Sequence, residues 1–341
     1  MLKGAIVGFG KIARTSHMPA YQTARISGLA KIVAVTDSDV TLSEEVNEQY
    51  PYLKYYPSLV MLLDNEDIDF IDICTPPSCH LKAVEEAVIR GAHVLCEKPL
   101  AHNLASSFRM KLILEHSDAV FQACHQYKYS PVWKEFKKFA DQNINADKMF
   151  FQFNVFRTGS DRGYFRNNPD WRQDKNISGG GILSDTGIHY IYLSNWFLGK
   201  PLRINAYNTN LRSDMPSAED SAFVIIEYAA GVAQINLTWA ADKRENNARV
   251  VCKNKSLVYS NERLLYSDGS VIREISVPDT SDKKTYINQY EQLFEDFIHN
   301  IYFHNRQSSS LEEAYAAIRV LDACYKSDSY GQIIIPDEQH A

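Results

Sequence analysis

The first 120 residues or so alternate short, nearly continuous apolar runs with stretches of helical spacing. Five runs are typical of strands: KGAIVGF, IVAVTD, FIDIC, AHVLCEK and AVFQACHQY. Between them, IARTSHMPAYQTAR and HLKAVEEAVIRG carry apolar residues at helical spacing, and the second ends in glycine, a common helix stop. Because parallel strands are buried on both faces, such runs need not alternate. The pattern predicts a doubly wound α/β domain with a parallel sheet.

From about residue 123 the pattern changes to alternation of apolar and polar residues. Strand-like segments joined by Gly, Asn or Asp turns are MFFQFNVFR, RINAYNTNL, AFVIIEYAAG, VAQINLTWAA, ARVVCKN and SLVYSNERLLYSDG. They predict a large, open, mostly antiparallel sheet. Two amphipathic helices follow, YINQYEQLFEDFIHNIY and SLEEAYAAIRVLDACYKS. We therefore expect a parallel-sheet domain over 1–122 and an α+β domain over 123–341.

Composition narrows the class of protein. A chain of 341 residues, 45% of them hydrophobic, can bury two cores, and a net charge of −6 argues against a nucleic-acid surface. The N-terminus lacks the features of a signal peptide, and no apolar run approaches the ~20 residues of a membrane helix. Six scattered cysteines form no CxxC pair, so we expect neither a disulfide framework nor a metal site. The expectation is a cytoplasmic protein that binds neither nucleic acid nor membrane.

The segment GFGKIA at 8–13 fits the pattern GxGxxA between the first strand and the first helix. In that position the first glycine permits a tight turn, the second lets a pyrophosphate approach the backbone, and the alanine allows close helix packing. The pattern alone is weak, and the alternative is a glycine turn without a ligand, but its context is the required one. We assign dinucleotide binding to this turn: Gly8, Phe9, Gly10, Lys11 and Ile12.

Asp37 ends the second predicted strand, where an acid can bind the ribose hydroxyls of the adenosine half. Its spacing from the glycine turn is slightly longer than usual. Ser38 and Asp39 follow, and no arginine stands there to accept a 2′-phosphate. NAD is thus favoured as cofactor, with NADP as the alternative.

Two further loops follow strands whose carboxyl ends should face the ligand crevice. The first carries Thr75, Pro76 and His80, and His80 is better explained by packing or by a helix start than by catalysis. The second carries Glu97 and Lys98 before a proline whose peptide bond is a candidate for the cis form. A partly desolvated lysine can act as acid, base or clamp on an alkoxide. All five residues are expected near the cofactor.

The segment GGGILSDTGIH at 179–189 sets an acid and a histidine four residues apart. If a helix starts near Asp185, that spacing places Asp185 and His189 on one face, with the carboxylate at the positive end of the helix dipole. Histidine can exchange a proton near neutral pH. The alternative is a capping Asp and a packed His. The glycines at 179–181 are interpreted as making room for cofactor and substrate.

Basic residues concentrate between 156 and 175 in this acidic chain: Arg157, Arg162, Arg166, Arg172 and Lys175. Guanidinium groups suit carboxylates and phosphates, and Trp171 can stack on a sugar or a base. An anionic substrate is one hypothesis, and a solvated or oligomer-forming arm is the equal alternative.

These segments, together with TPPSCH, CEKPL, QYKYSP at 126–131, WRQDKNISGGGILSDTGIH at 171–189 and SDSYGQIIIP at the end, resemble the glucose–fructose oxidoreductase / inositol dehydrogenase / rhizopine catabolism (Gfo/Idh/MocA) family. Their order and spacing cover essentially the whole chain. The resemblance implies an N-terminal Rossmann domain, a C-terminal domain with an open sheet, and homo-oligomers, dimers or tetramers, built through that sheet. It also implies NAD(P)-linked hydride transfer on sugars, cyclitols or related small molecules.

By the same resemblance, the family's catalytic Lys, Asp and His fall on Lys98, Asp185 and His189. The chain departs from many relatives at Tyr192, where an Asp is common, and at Lys128, where an Arg is common. These departures bear on the substrate rather than on the three catalytic residues. The residues assigned to substrate binding are Lys98, Tyr127, Trp171, Arg172, Asp185 and His189.

Three functions follow from this reasoning. The first is an NAD(P)-dependent oxidoreductase acting on a CH–OH group, working toward either the ketone or the alcohol. The second is a dinucleotide-binding sensor or structural subunit without turnover, which the presence of all three catalytic residues disfavours. The third, a metal-dependent lyase or hydrolase, lacks clustered ligand spacing.

Overall fold

A computed structural model describes residues 1–145, 147–161, 170–212, 217–269, 272–278, 283–305 and 309–335. The chain divides into two compact units. The first comprises 1–126, 162–171 and 286–315, and the second comprises 127–161, 172–285 and 316–341. Residues 286–315 thus belong to the first unit although they follow most of the second unit in sequence. A single boundary near residue 122 does not describe this division.

The first unit is built on a six-stranded sheet in the order β3-β2-β1-β4-β5-β6, with every pair parallel. Its strands are β1 (Leu2–Val7), β2 (Ala30–Thr36), β3 (Lys54–Tyr56), β4 (Phe70–Ile73), β5 (His93–Cys96) and β6 (Phe121–Ala123). The doubly wound parallel sheet predicted from the apolar runs is confirmed. Since β1 is flanked by β2 and β4, the chain reverses direction across the sheet at the ends of β1 and β4, where such folds bind ligands.

Helices connect these strands: α1 (Met18–Tyr21), α2 (Leu42–Gln49), α3 (Leu59–Asn65), α4 (His80–Ile89) and α5 (Leu104–Glu115). Local chemistry starts two of them. Ser58 caps α3 by accepting from the amide of Met61, and Asn103 caps α5 by accepting from the amide of Ser106. The first predicted helix differs from expectation, because a π-helical turn over Ala13–His17 precedes α1.

The second unit contains an eight-stranded sheet in the order β14-β13-β12-β11-β7-β10-β9-β8. The strands are β7 (Met149–Phe156), β8 (Pro201–Thr209), β9 (Ser221–Tyr228), β10 (Gly231–Thr238), β11 (Glu245–Cys252), β12 (Lys255–Ser260), β13 (Arg263–Ser267) and β14 (Ile272–Ser276). All pairs are antiparallel except β7 with β10. The mostly antiparallel second sheet is confirmed as predicted.

Helices α6 (Pro131–Asn143), α7 (Lys175–Ser178) and α8 (Ile188–Leu198) belong to this unit, and α6 packs on α8 and β12 while α8 packs on β10. The C-terminal helices are α9 (Lys283–Tyr302) and α10 (Ser310–Tyr330), as the amphipathic segments predicted. Strand β9 shows the two faces of the sheet, since Ile226 is fully buried and its neighbour Ile225 is 49% exposed. None of the helices within the described ranges has the length and apolarity needed to cross a bilayer.

Candidate functional site

The glycine turn lies at the carboxyl end of β1 in the first unit. Gly8 has φ of +90°, and a Cβ there would lie 2.8 Å from Cγ2 of Thr75, so only glycine fits. Apart from its neighbours in the chain, a Cβ on Gly10 would meet no atom of the described residues within 4 Å. The space beside Gly10 is therefore open, whereas Gly8 is held against the loop after β4.

Asp37, just after β2, is tied to this turn. Its Oδ2 accepts from the amide of Phe9 at 2.7 Å and its Oδ1 from the amide of Asp39 at 2.9 Å. The hydroxyl of Tyr55 donates to the carbonyl of Asp37 at 2.9 Å. The carboxylate is buried and keeps further lone pairs, which is compatible with the predicted ribose contact.

The residues present fit a dinucleotide. The Oγ1 of Thr75 is buried without a hydrogen-bond partner among the described residues, beside a turn whose second glycine borders open space. Lys11 and Ile12 lie in the first helical turn after Gly10, where backbone amides are available to phosphates. An orphaned hydroxyl and an open glycine at the switch point are what a bound pyrophosphate would account for.

His80 braces two loops of the first unit. It begins α4 and is fully buried, with Nε2 2.8 Å from the carbonyl of Thr75 and Nδ1 3.1 Å from the carbonyl of Pro99. Burial lowers the pKa of His80, although these carbonyls oppose the shift. This geometry agrees with the packing alternative. Pro76, beside it, is buried as well.

Lys98 follows β5, and its peptide bond to Pro99 is cis, the form considered from the sequence. The lysine is half-buried. Glu97, predicted to contact the cofactor, points its carboxylate into the interior of the first unit. Its Oε2 accepts from the amide of Lys98 at 3.1 Å, and its Oε1 accepts from the hydroxyl of Tyr290 at 2.6 Å.

A buried histidine that the sequence reasoning missed completes this arrangement. Nε2 of His17 lies 3.1 Å from Oε1 of Glu97, and its Nδ1 lies 2.8 Å from Oδ2 of Asp72. Burial penalises the imidazolium, but the charges of Asp72 and Cys74 and their hydrogen bonds together outweigh burial and raise the pKa of His17. Burial also penalises the Glu97 carboxylate, but the hydrogen bond and charge of His17, with Lys98 and Tyr290, lower its pKa.

Three side chains around His17 lie close enough together to be compared with a metal site. Ligand atoms of His17, Asp72 and Cys74 lie within 4.8 Å of one another. They are already hydrogen-bonded among themselves, and burial raises the pKa of the Cys74 thiol far above its usual range, which disfavours the thiolate that metals require. The donor set is better explained by a hydrogen-bond network.

In the second unit, Asp185 and His189 lie at the start of a helical segment. Asp185 belongs to a π-helical turn over Leu183–Gly187, and α8 follows with His189 near its start. Arg172 donates from Nε to Oδ1 of Asp185 at 3.1 Å. The ring of Tyr127 stacks on the imidazole of His189 at 4.3 Å, and His189 is buried. Four residues assigned to substrate binding thus form two contacting pairs.

The glycines at 179–181 have a different reason from the one expected. A Cβ on Gly181 would overlap the carbonyl oxygen of Glu219, and one on Gly180 would overlap the hydroxyl of Tyr325. Oε1 of Glu219 also accepts from the amides of Gly181 and Leu183 and from Tyr325. The groups that come close to Gly180 and Gly181 are protein atoms of the same unit. The expectation that these two glycines make room for cofactor and substrate is therefore wrong.

The basic segment is only partly described. Arg162 and Arg166 lie outside the described residues. Trp171 begins the 3₁₀ turn Trp171–Gln173 and is partly exposed. Arg157 is 92% buried, its exposure being 8%, and its Nη1 donates to the backbone carbonyls of Phe156 and Glu245.

Comparison with known proteins gives the family. Residues 2–125 match the oxidoreductase family's NAD-binding Rossmann fold, and residues 153–335 match its C-terminal alpha/beta domain. The chain belongs to the Gfo/Idh/MocA oxidoreductase family. Its first domain is an NAD-binding Rossmann domain, as the glycine turn predicted.

Several relatives are named dehydrogenases. The chain is 26% identical to D-apiose dehydrogenase of Paraburkholderia graminis over 68% of this chain and 59% of that protein, so the match spans about three fifths of that relative. It is 23% identical to D-xylose 1-dehydrogenase (NADP(+)) 2 of Haloferax volcanii over 96% and 98% of the two chains.

Solved structures share the fold. Levoglucosan dehydrogenase in complex with NADH and levoglucosan superposes with a TM-score of 0.84 at 20% identity, covering 99% of both chains. The WlbA dehydrogenase of Chromobacterium violaceum, in complex with NADH and UDP-GlcNAcA, gives a TM-score of 0.84 at 19% identity over 99% and 97% of the chains.

The residues missed from the sequence are His17, Asp72, Glu219 and Tyr290. Asp72 carried a usable signal, because it is the only acid within the buried strand FIDI and a carboxylate there needs partners. The other three had none, since each is defined by contacts with residues far away in sequence.

Proposed function

We propose that this protein is an NAD(P)-dependent dehydrogenase or reductase acting on a secondary alcohol or ketone of a sugar, a cyclitol or a sugar derivative. The observation that carries the proposal is the fully assembled dinucleotide turn, with open space at Gly10 and the orphaned hydroxyl of Thr75, in a chain that retains Lys98, Asp185 and His189. Named relatives that act on apiose, xylose and levoglucosan support the substrate class.

The proposed roles follow from side-chain chemistry. In the oxidation direction, His189 accepts the proton of the substrate hydroxyl, and Lys98 donates a hydrogen bond to the same oxygen and stabilises its developing charge. When bound, NAD supplies the hydride acceptor at C4 of the nicotinamide. Lys98 and His189 can exchange these roles, since lysine and histidine side chains can both act as general acid or general base.

The second-unit contacts refine two of these roles. Arg172 forms an ion pair with Asp185, so the positive charge of Arg172 is largely balanced. The same ion pair holds the Asp185 carboxylate in one orientation. Tyr127 holds the plane of the His189 ring by stacking. We propose that Tyr127 and Arg172 orient the proton-transfer residues as much as they bind substrate, with Trp171 offering a face for a sugar.

Cofactor preference is proposed to favour NAD over NADP. The Asp37 carboxylate stands after β2 and is fixed by two backbone amides. A carboxylate there would repel a 2′-phosphate and accept from ribose hydroxyls. NADP remains the alternative, as the name of the xylose dehydrogenase relative illustrates.

Arg157 supports an anionic substrate. A guanidinium that is 92% buried usually has a carboxylate partner, yet the described residues supply Arg157 only with backbone carbonyls. Tyr190 follows His189 in the chain. Burial and Tyr127 raise the pKa of Tyr190, and the positive charge of Arg157 opposes this rise. The charge of Arg157 therefore acts on the residue next to His189. A substrate carboxylate or phosphate would supply the missing charge.

Assembly and location are also proposed. The open face of the second sheet exposes apolar side chains, among them Phe223 and Ile225 at 43% and 49% exposure. A second copy covering that face would make a homo-oligomer. All six cysteines are free thiols, which suits a cytoplasmic protein.

The test follows nicotinamide absorbance with NAD and with NADP against inositols, free sugars, sugar acids, sugar phosphates and nucleotide sugars. We expect turnover by wild type and a fall in kcat of about 10²- to 10⁴-fold in Lys98→Met. Arg157→Gln should lower kcat/KM about 10- to 100-fold for anionic substrates and leave neutral ones unchanged.

Two results would count against these proposals. The matched control is Arg109→Gln, which removes an exposed arginine on α5 and should leave all rates unchanged. If neutral polyols turn over well while anionic analogues do not, the anionic substrate is wrong. Binding of NAD without turnover across the panel would favour a dinucleotide-binding sensor.

A further inference from the structure

His17 lies between two acids in the interior of the first unit. Its side chain has no exposed surface, with Nδ1 2.8 Å from Oδ2 of Asp72 and Nε2 3.1 Å from Oε1 of Glu97. Tyr21 donates to Oδ2 of Asp72 at 3.1 Å, and Tyr290 donates to Oε1 of Glu97 at 2.6 Å. We call these five residues the His17 network.

Counting protons gives the charge state of His17. The polar groups bonded to Glu97 are the Tyr290 hydroxyl, the Lys98 amide and the imidazole, and the first two are donors. As a carboxylate, the form that the lowered pKa of Glu97 favours, Glu97 accepts from all three groups. A neutral imidazole carries one N–H and can satisfy only one of two carboxylates. Two acceptors, one at each ring nitrogen, require the imidazolium.

Glu97 connects this charge to Lys98. One carboxylate oxygen binds His17 and Tyr290, and the other accepts from the backbone amide of Lys98. The orientation of the Glu97 carboxylate therefore fixes the backbone that carries the Lys98 side chain. Tyr290 comes from α9, so a helix 193 residues away in sequence takes part in holding this turn.

We propose that His17, as a buried imidazolium, is a positioning residue that acts through Glu97 to hold Lys98 in its working orientation. The proposal rests on the catalytic role of Lys98 put forward above. It assigns His17 no contact with substrate or cofactor. The positive charge of His17 keeps Glu97 ionised and in one rotamer. Glu97 in turn holds the backbone of Lys98 in place through its hydrogen bond to the Lys98 amide.

Within the described part of the chain, four titratable side chains contact or lie close to the ring nitrogens of His17. Asp72 and Cys74 contact Nδ1 from the end of β4, with the Cys74 Sγ at 3.3 Å. Glu97 contacts Nε2, and Cys124 lies within 4.8 Å of that pair. From α9, Tyr290 and Phe294 place their rings at 4.4 and 5.3 Å from the imidazole. Burial raises the pKa of both thiols, so Asp72 and Glu97 are the anions that balance His17.

Two tyrosines provide a matched pair for the test. Tyr290→Phe removes the hydroxyl that binds Glu97, on the Lys98 side of the network, and Tyr21→Phe removes the hydroxyl that binds Asp72, on the far side. Both rings are buried and pack on Phe294, so each variant loses one buried hydrogen bond and keeps its packing.

A purely structural network would respond alike to both changes. We expect Tyr290→Phe to lower kcat about tenfold with the NAD dissociation constant unchanged, and Tyr21→Phe to change kcat less than about twofold. Equal effects of the two variants on kcat, in the presence of wild-type turnover, would overturn the positioning role. Absence of wild-type turnover would instead overturn the proposed function and the role of His17 with it.

The charge of His17 has a test that needs no substrate. Nitrogen-15 NMR of histidine-labelled protein, assigned by comparison with His17→Gln, reports the protonation of each ring nitrogen. We expect both nitrogens of His17 to remain protonated at neutral pH. A neutral His17 there would overturn the inference even if turnover depends on Lys98 as proposed.

Discussion

Gly10 and Gly181 both stand in glycine-rich turns, and their surroundings differ. Apart from the chain neighbours of Gly10, no atom that the structure describes lies within 4 Å of the place where its Cβ would be, whereas a Cβ on Gly181 would overlap the backbone of Glu219. The first glycine leaves room for a ligand, and the second lets two protein segments approach. The same residue type thus leaves open space in one turn and permits close packing in the other.

The prediction at the residue scale separates these two reasons. Gly10→Ala should leave the free energy of unfolding within about 1 kcal/mol of wild type and weaken NAD binding at least about tenfold, because its methyl group would enter the space of the pyrophosphate. Gly181→Ala should cost about 1–3 kcal/mol, since backbone atoms must move. Urea unfolding and NADH fluorescence titrations measure the two effects. Unchanged NAD affinity in Gly10→Ala would contradict this assignment of the turn.

At the scale of a single element, β9 has one buried and one open face. Ile226 is fully buried and pairs with Ala233 of β10, while Ile225 points to the other face and is 49% exposed. Because side chains alternate along a strand, adjacent isoleucines of identical composition meet different environments. The buried one contributes to the core, and the exposed one to whatever covers the sheet.

These two positions give the prediction for the element. Ile226→Ala should lower the free energy of unfolding by about 2–5 kcal/mol through the cavity it leaves. Ile225→Asp should keep the fold and shift sedimentation toward a smaller species, because the charge would face the second copy. If Ile225→Asp sediments as wild type does, the open face is not the surface that joins the proposed homo-oligomer.

Buried charge links the His17 network to the stability of the whole molecule. Burial opposes the imidazolium, but Asp72 and Cys74 together outweigh burial, so the pKa of His17 in the folded protein lies well above its value in the unfolded chain. A raised histidine pKa stabilises the fold fully below the unfolded value of about 6.5, and this contribution is lost as pH rises toward the folded value. The network therefore stabilises the protein most under mildly acidic conditions.

The corresponding prediction concerns pH. The stability advantage of wild type over His17→Gln should shrink by about 1.4 kcal/mol per pH unit above about pH 6.5, until His17 loses its proton. Urea unfolding of both proteins at about pH 6, 7.5 and 9 measures the difference. A difference that stays constant over this range would show that folding does not hold the proton on His17.

Much of this protein was determined by its sequence alone. The apolar runs, the alternation after residue 123 and the local motifs predicted both sheets, the glycine turn and the positions of Lys98, Asp185 and His189, because periodicity and short spacing act within a few residues. The short strands β3 and β14 were not predicted, since neither carries a distinct apolar pattern.

Only the tertiary structure decided the rest. His17 meets partners 55 and 80 residues away, and Tyr290 reaches Glu97 across 193 residues. Gly181 owes its lack of a side chain to Glu219, which no local pattern links to it. Buried polar groups are defined by their partners, and those partners are brought together by the packing of whole elements rather than by neighbours in the chain.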